Sequence, residues 1–196
     1  FFDEKKKFFK VNNKTYKIYG NLKSLLSNRK KFYKVFISLG DNEQRKKIYE
    51  ILKKKKFKII TLKHPKSYCS VGTKIGQGTV IMPGCTIQTD TIIGNNCTIR
   101  ECATINRGTS VSGKTLIGEN CLVMAYSHVA HDCIIGNNCI IVNGVALAGH
   151  VKVGDYAIIG GNSSVHQFVT IGKHTMISGG SLVRKDVPPY VKAARE

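Results

Sequence analysis

From Ile75 to Val183, every sixth residue is Ile, Leu or Val. The series holds nineteen positions, Val111 among them, whereas 12 of the 90 residues between them are of these types. Glycine follows the series residue at 76, 94, 118, 136, 154, 160 and 172, where a turn needs a residue without a Cβ or one able to leave the usual backbone regions. Six-residue units repeated in this way mark a parallel β-helix, in which each unit buries its aliphatic side chain only by stacking on its neighbours.

Five of the seven cysteines, Cys85, Cys97, Cys121, Cys133 and Cys139, stand two residues before a series position. Alternation along a strand turns residues two apart to the same side, so these cysteines are expected to point inward as small fillers. No C-x-x-C pair is present, which removes the usual zinc signature.

The charge is unevenly spread. Of a net +19, residues 1–66 contribute 21 Lys and Arg against 5 Asp and Glu, and residues 67–196 contribute 10 against 7. The basic part suits an anionic partner such as a phosphorylated sugar or an acidic carrier protein. No basic stripe interleaved with aromatic residues is present, so no nucleic-acid partner is assigned and a solvated Lys-rich surface is the plain alternative. No run of about 18 apolar residues exists, so no membrane span is expected. The start, "FFDEKKKFFK", lacks an initiator Met and a signal-peptide apolar stretch, and reads as a truncated cytoplasmic chain.

Within the first third, "VFISLG" (35–40) and "FKIITL" (57–62) read as strands. Between them "DNEQRKKIYEILKKKK" has helical spacing at Ile48, Ile51 and Leu52, with Asp41 and Asn42 as candidate caps. The run Lys53–Lys56 falls at the helix C-terminus, where cations favour the macrodipole. The expected domains are a small, truncated α/β unit (1–66), a β-helix (67–187) and a C-terminal tail (188–196).

The hexads resemble those of the hexapeptide-repeat acyltransferases, which implies a left-handed, triangular parallel β-helix of about six coils. In that resemblance three hexads, 18 residues, make one coil, with coils about 4.8 Å apart. Cys121 and Cys139 then fall on successive coils, leaving a disulfide between them open. The same count places Gly149 one coil above His131, and Gln167 two coils above it, with His150 and His166 beside them. A column about 10 Å tall results. A neutral imidazole there can take a proton from a hydroxyl or amine, help worth roughly 10² to 10⁴ in rate. Asp132 is placed to orient His131. The unhindered N–H of Gly149 suits the oxyanion of a thioester under attack, a contact worth about 3 to 4 kcal/mol.

Four segments, "TIRECATINRGTSVSGKTLIGENCLVMAYSHVAHDC", "VALAGHVKVGDYAIIGG", "SSVHQFVTIG" and "SLVRKDVPPYVKAARE", resemble the acyl-carrier-protein-dependent UDP-N-acetylglucosamine O-acyltransferases of lipid A synthesis. The likeness covers about residues 93–196. It implies His131, in H-x-x-H-D, as the catalytic base; Gly149 as oxyanion donor; His128, His150, His166 and Gln167 as substrate contacts; and a homotrimer. The implied donor is a thioester of acyl carrier protein or coenzyme A, without a cofactor. By the same likeness Arg100, Glu101, Asn106 and Arg107 touch substrate or lie in solvated loops.

The first third resembles the N-terminal domain of sialic-acid and bacillosamine-type sugar acetyltransferases, whose base also lies in an H-[DE]-C element. An acetyl-coenzyme A-dependent sugar acetyltransferase is therefore an alternative function, and a non-catalytic trimeric scaffold is another. The β-helical carbonic anhydrases place zinc on three histidines between subunits with H-x4-H spacing; this chain has H-x2-H, so no metal ligands are assigned.

Overall fold

In the computed structural model, which describes residues 2–3, 8–12 and 14–193, the hexads wind into a parallel β-helix with three walls. The walls are sheets of six, eight and seven parallel strands. The fold is therefore the expected left-handed hexapeptide β-helix, with about seven turns in place of six. Most strands are two residues long, because each wall is crossed quickly and the chain turns a corner before a third residue can pair.

Stacking follows the 18-residue register, so that Ile141 lies between Val123 and Ile159 on adjacent coils. Seventeen of the nineteen series residues are buried, Ile75 is half-buried, and the five cysteines line the same interior. All seven cysteines are free thiols in this structure. Burial pushes the Cys133 thiol up to about 11, against the opposing hydrogen bonds of backbone amides.

Val111 departs from the expectation: it is 77% exposed. The register explains why. Ile87 pairs with Ile105 and Val129 with Leu147, each a step of 18, but Ile105 pairs with Val129, a step of 24. One whole hexad has left the wall, and the chain between Ile105 and Thr115 makes an excursion from a corner. The excess is six residues, one full unit, so the strands on either side keep their phase and their inward residues.

Corners are made by a residue in the left-handed region, three places after the inward aliphatic residue. Asn96, Asn120 and Asn138 serve there, with φ of +54°, +56° and +59°, since Asn tolerates this region better than most side chains. Of the two reasons expected for the glycines directly after the aliphatic residues, the structure selects the missing Cβ. A Cβ on Gly94 would stand 2.5 Å from the carbonyl oxygen of Gly118 on the next coil, so close approach of coils excludes a side chain.

Ahead of the coil, Lys34–Val35 and Lys58–Ile59 pair in parallel around a helix, α2 (Asn42–Lys54). The β-α-β unit is as expected but with shorter strands, and Leu62–Lys63 joins the β-helix instead. Asp41 caps α2 by accepting from the Gln44 N–H at 2.7 Å. Asn42 is the first helical residue and donates to the Asn120 carbonyl at 2.8 Å. Arg45 is buried beside it, donating to Asn42 Oδ1 and, at 3.4 Å, to the Asn96 carbonyl. These bonds seat α2 on the corner built from Asn96 and Asn120. An antiparallel hairpin (Phe8–Val11 with Lys14–Lys17) and a short helix, α1 (Leu22–Ser27), precede this unit. At the other end Lys192–Ala193 pairs with Met176–Ile177, while residues 194–196 of the expected tail lie outside the described residues. Among the described residues no helix is long and apolar enough to cross a membrane.

Candidate functional site

A second corner gathers the residues singled out by the coil count. Asp132, His150 and Phe168 are its left-handed residues, with φ of +61°, +64° and +69° on successive coils. His131, Gly149 and Gln167 immediately precede them, linked by His150 N–H to the His131 carbonyl and Phe168 N–H to the Gly149 carbonyl, each 3.0 Å.

The turn brings the neighbouring side chains of His131 and Asp132 together, which an extended strand would not do. His131 Nδ1 lies 2.8 Å from Asp132 Oδ2, with the imidazole 44% exposed and the carboxylate fully buried. Asp132 also accepts from the Thr109 N–H at 2.9 Å, from Thr109 Oγ1 at 2.7 Å and from Ser112 Oγ. Its own N–H donates to Thr115 Oγ1 at 3.0 Å. Burial alone would raise this carboxyl, but the donors from Ser112, Thr109 and His131 outweigh it and hold it well below the usual carboxylate range. An ionised carboxylate only accepts, so Nδ1 of His131 is the nitrogen that donates to Asp132, and in the neutral ring Nε2 is the acceptor.

Gly149 packs on that ring: a Cβ there would stand 2.5 Å from Cε1 and 2.7 Å from Nε2 of His131. Its N–H donates no hydrogen bond among the described residues. At another corner the equivalent N–H groups of Gln77, Glu119 and Asn137 are each capped by a side-chain oxygen from the next coil, at 2.8, 2.8 and 2.6 Å. The Gly149 N–H is thus a donor without a partner among the described residues, at a buried glycine, where the three N–H groups named at the other corner are capped.

The other expected residues are distributed less tightly. The His150 ring meets His131 edge-on at 5.1 Å and stacks on Phe168 at 4.7 Å and 13°. Gln167 is exposed above Gly149, and His166, also exposed, donates from Nδ1 to the Gln167 carbonyl at 3.2 Å. His128 lies on the preceding wall, where its Nδ1 bonds Thr104 Oγ1 at 2.7 Å, and burial lowers its pKa. Arg100 is paired with Glu101 at 2.7 Å, and Asn106 and Arg107 open the excursion. His131, Asp132 and His150 are the one set of three ligand-type side chains, among the described residues, close enough to share a metal ion, with ligand atoms within 4.8 Å of one another.

Thr109, Ser112 and Phe168 are the residues that sequence reading missed. The excursion had a signal, because five of the six residues Gly108–Gly113 are Gly, Ser or Thr, a loop composition. Phe168 needed only the count from Asp132 carried two coils on. The Thr109 clamp has a measurable consequence. Thr109→Val removes a donor from a buried carboxylate and is expected to cost about 1.5 to 3 kcal/mol at pH 7, as for other hydrogen bonds to charge. A carboxyl lowered by folding adds stability above its unfolded value near 3.9, and that stability is lost as pH falls through the folded value. The difference between the two proteins should therefore be largest at neutral pH and narrow below about pH 4. Urea unfolding at both pH values checks it; a difference independent of pH would remove the clamp.

Comparisons with known proteins agree with this architecture. The bacterial transferase hexapeptide (six repeats) profile matches residues 72–107, 114–149 and 150–185, skipping part of the excursion. Residues 1–52 match the PglD N-terminal domain. Among solved structures, LpxA, a UDP-N-acetylglucosamine acyltransferase from Bacteroides fragilis, is 40% identical over 68% of this chain and 57% of its own, with a TM-score of 0.66. The UDP-N-acetylglucosamine acyltransferase from Campylobacter jejuni is 32% identical over 66% of this chain and 70% of its own (TM-score 0.54). A point mutant of perosamine N-acetyltransferase from Caulobacter crescentus, in complex with CoA and GDP-perosamine, is 26% identical over 91% of this chain and 74% of its own (TM-score 0.61). A comparison with curated proteins gave no match. Three-walled parallel coils built from the matched six-residue repeats place the chain in the class of β-helical transferases. The chain belongs to the bacterial hexapeptide transferase family.

Proposed function

We propose that the chain is an acyltransferase that moves an acyl group from a thioester to a nucleotide-linked amino sugar, with His131 as general base. The observation that carries this reading is the His131–Asp132 pair, in which Nδ1 faces the carboxylate and Nε2 lies on a half-exposed ring packed on Gly149, whose N–H has no partner among the described residues. In the reaction, Nε2 takes the proton from the acceptor hydroxyl as its oxygen attacks the thioester carbonyl. The Gly149 N–H receives the developing oxyanion. As the tetrahedral species collapses, the C–S bond breaks and the imidazolium returns the proton to the departing sulfur. Asp132 stabilises that imidazolium and fixes the tautomer. No protein nucleophile is required, and Cys133, beside Asp132, is buried with a raised pKa and unsuited to the role.

The finer reading is transfer from acyl carrier protein to a hydroxyl of UDP-N-acetylglucosamine by a homotrimer, with His128, His150, His166 and Gln167 contacting substrate. It is supported by the 40% identity to the Bacteroides LpxA and by the basic first third, which suits an acidic carrier. A second reading, acetyl transfer from coenzyme A to a sugar amine or hydroxyl, is favoured by the match of residues 1–52 and by the Caulobacter relative, which covers 91% of this chain. The test is release of free thiol from 3-hydroxyacyl carrier protein or acetyl-coenzyme A, with UDP-N-acetylglucosamine or a UDP-linked amino sugar as acceptor. Turnover with the carrier thioester alone supports the first reading, and turnover with acetyl-coenzyme A alone replaces it by the second. No turnover with either would leave a trimeric scaffold as the function.

A further inference from the structure

The base and its neighbours also form a ligand set. His131 Nδ1 and His150 Nε2 lie 2.8 and 3.8 Å from the same atom, Asp132 Oδ2. A tetrahedral zinc ion about 2.0 to 2.2 Å from its nitrogen and oxygen ligands holds those atoms roughly 3.3 to 3.6 Å apart, a spacing bracketed by the two distances. The three ligand atoms lie within 4.8 Å of one another, so closing the set requires both imidazoles to shift by up to about an ångström, His131 having the more freedom with a side chain 44% exposed.

The rest of the corner is fixed in the manner of a metal site. The Asp132 carboxylate is buried. Its Oδ1 is held by the Thr109 N–H and Ser112 Oγ, and its Oδ2 accepts from Thr109 Oγ1 at 2.7 Å while facing the two imidazoles. Such outer hydrogen bonds orient ligating carboxylates in metal centres. His150 is steadied by its stack on Phe168. Two imidazoles and one carboxylate suit zinc, cobalt or copper and suit magnesium and calcium poorly, since those ions take oxygen ligands in larger number. The exposed side of His131 leaves room for water as a fourth ligand.

We propose that this corner is a reversible inhibitory site for a zinc-class ion, which takes the position of the proton between His131 and Asp132. The ion draws His131 away from acceptor and thioester, so binding and catalysis exclude one another. The inhibitory half rests on His131 as base; the binding half does not.

The test uses the full chain stripped of metal by a chelator and titrated with Co²⁺ followed optically and with Zn²⁺ followed calorimetrically. One ion per chain is expected, with the visible absorption of four-coordinate cobalt. Asp132→Asn and His150→Ala should each weaken binding by at least about tenfold, and His64→Ala should leave it unchanged. Two substitutions are used so that failure of one to fold leaves the other informative. Absence of saturable binding, or binding indifferent to both substitutions, overturns the site. Thiol release by the metal-free protein should fall in proportion to zinc occupancy; full turnover at saturation overturns the inhibitory half. A protein that binds the ion at this corner yet shows no turnover without metal supports the site and rejects the transferase reading instead.

Discussion

Replacing His131 with alanine lowers turnover by at least about 10²-fold, the smaller end of what a positioned general base contributes, while the β-helix stays folded. The expectation follows from how little else at the corner can accept a proton. Asp132 is buried, saturated with donors and held well below the carboxylate range. His150 has its Nε2 facing Asp132 at 3.8 Å and its ring face against Phe168. His131 is half exposed and belongs to no core cluster, so its loss removes chemistry and leaves the packing in place. Initial rates with the productive thioester, alongside thermal unfolding of both proteins, measure the two parts separately. Unchanged turnover would remove His131 from the mechanism, and a lost fold would make it a structural residue.

The second large effect is on stability, and it comes as a contrast. Ile141→Ala is expected to cost about 2 to 5 kcal/mol, the range for deleting a large aliphatic side chain from a packed interior. Ile141 is fully buried, with Val123 below and Ile159 above, so neither coil can move into the cavity without breaking ladder bonds. Val111→Ala, at a position of the same six-residue series, is expected to change stability by less than about 0.5 kcal/mol, because its side chain is 77% exposed on the excursion. Denaturant unfolding at one fixed protein concentration compares them, which matters for a protein proposed to be trimeric. Similar costs at both positions would place residue 111 in the wall and refute the 24-residue step between Ile105 and Val129.

The stretch around residue 111 shows where sequence reading stops. A period reports which residues could face inward; it cannot tell whether a unit is used for the wall or spent on a loop, since removing one entire unit leaves the phase on both sides unchanged. The first third shows a related limit. Helix α2 and its Asp41 cap were legible because capping and helical spacing are local. Of the span expected as one strand, 35–40, only Val35 is in a regular strand (Lys34–Val35), and that at 57–62 divides between two sheets. Pairing partners decide strand ends, and the partners lie elsewhere in the chain.

The inward residues were already contained in the order of amino acids, and the column joining His131 to Gly149 and Gln167 followed from the step of 18 that the resemblance to hexapeptide-repeat acyltransferases implies. The folded chain was needed to show that His131 and Asp132 face each other, and that Thr109 and Ser112 arrive from the displaced hexad to hold the carboxylate. It also showed that His150 leans on Phe168. These contacts depend on the left-handed turn at the corner and on a loop folding back across it. Both are set by backbone geometry and long-range closure, which leave no periodic mark on the chain.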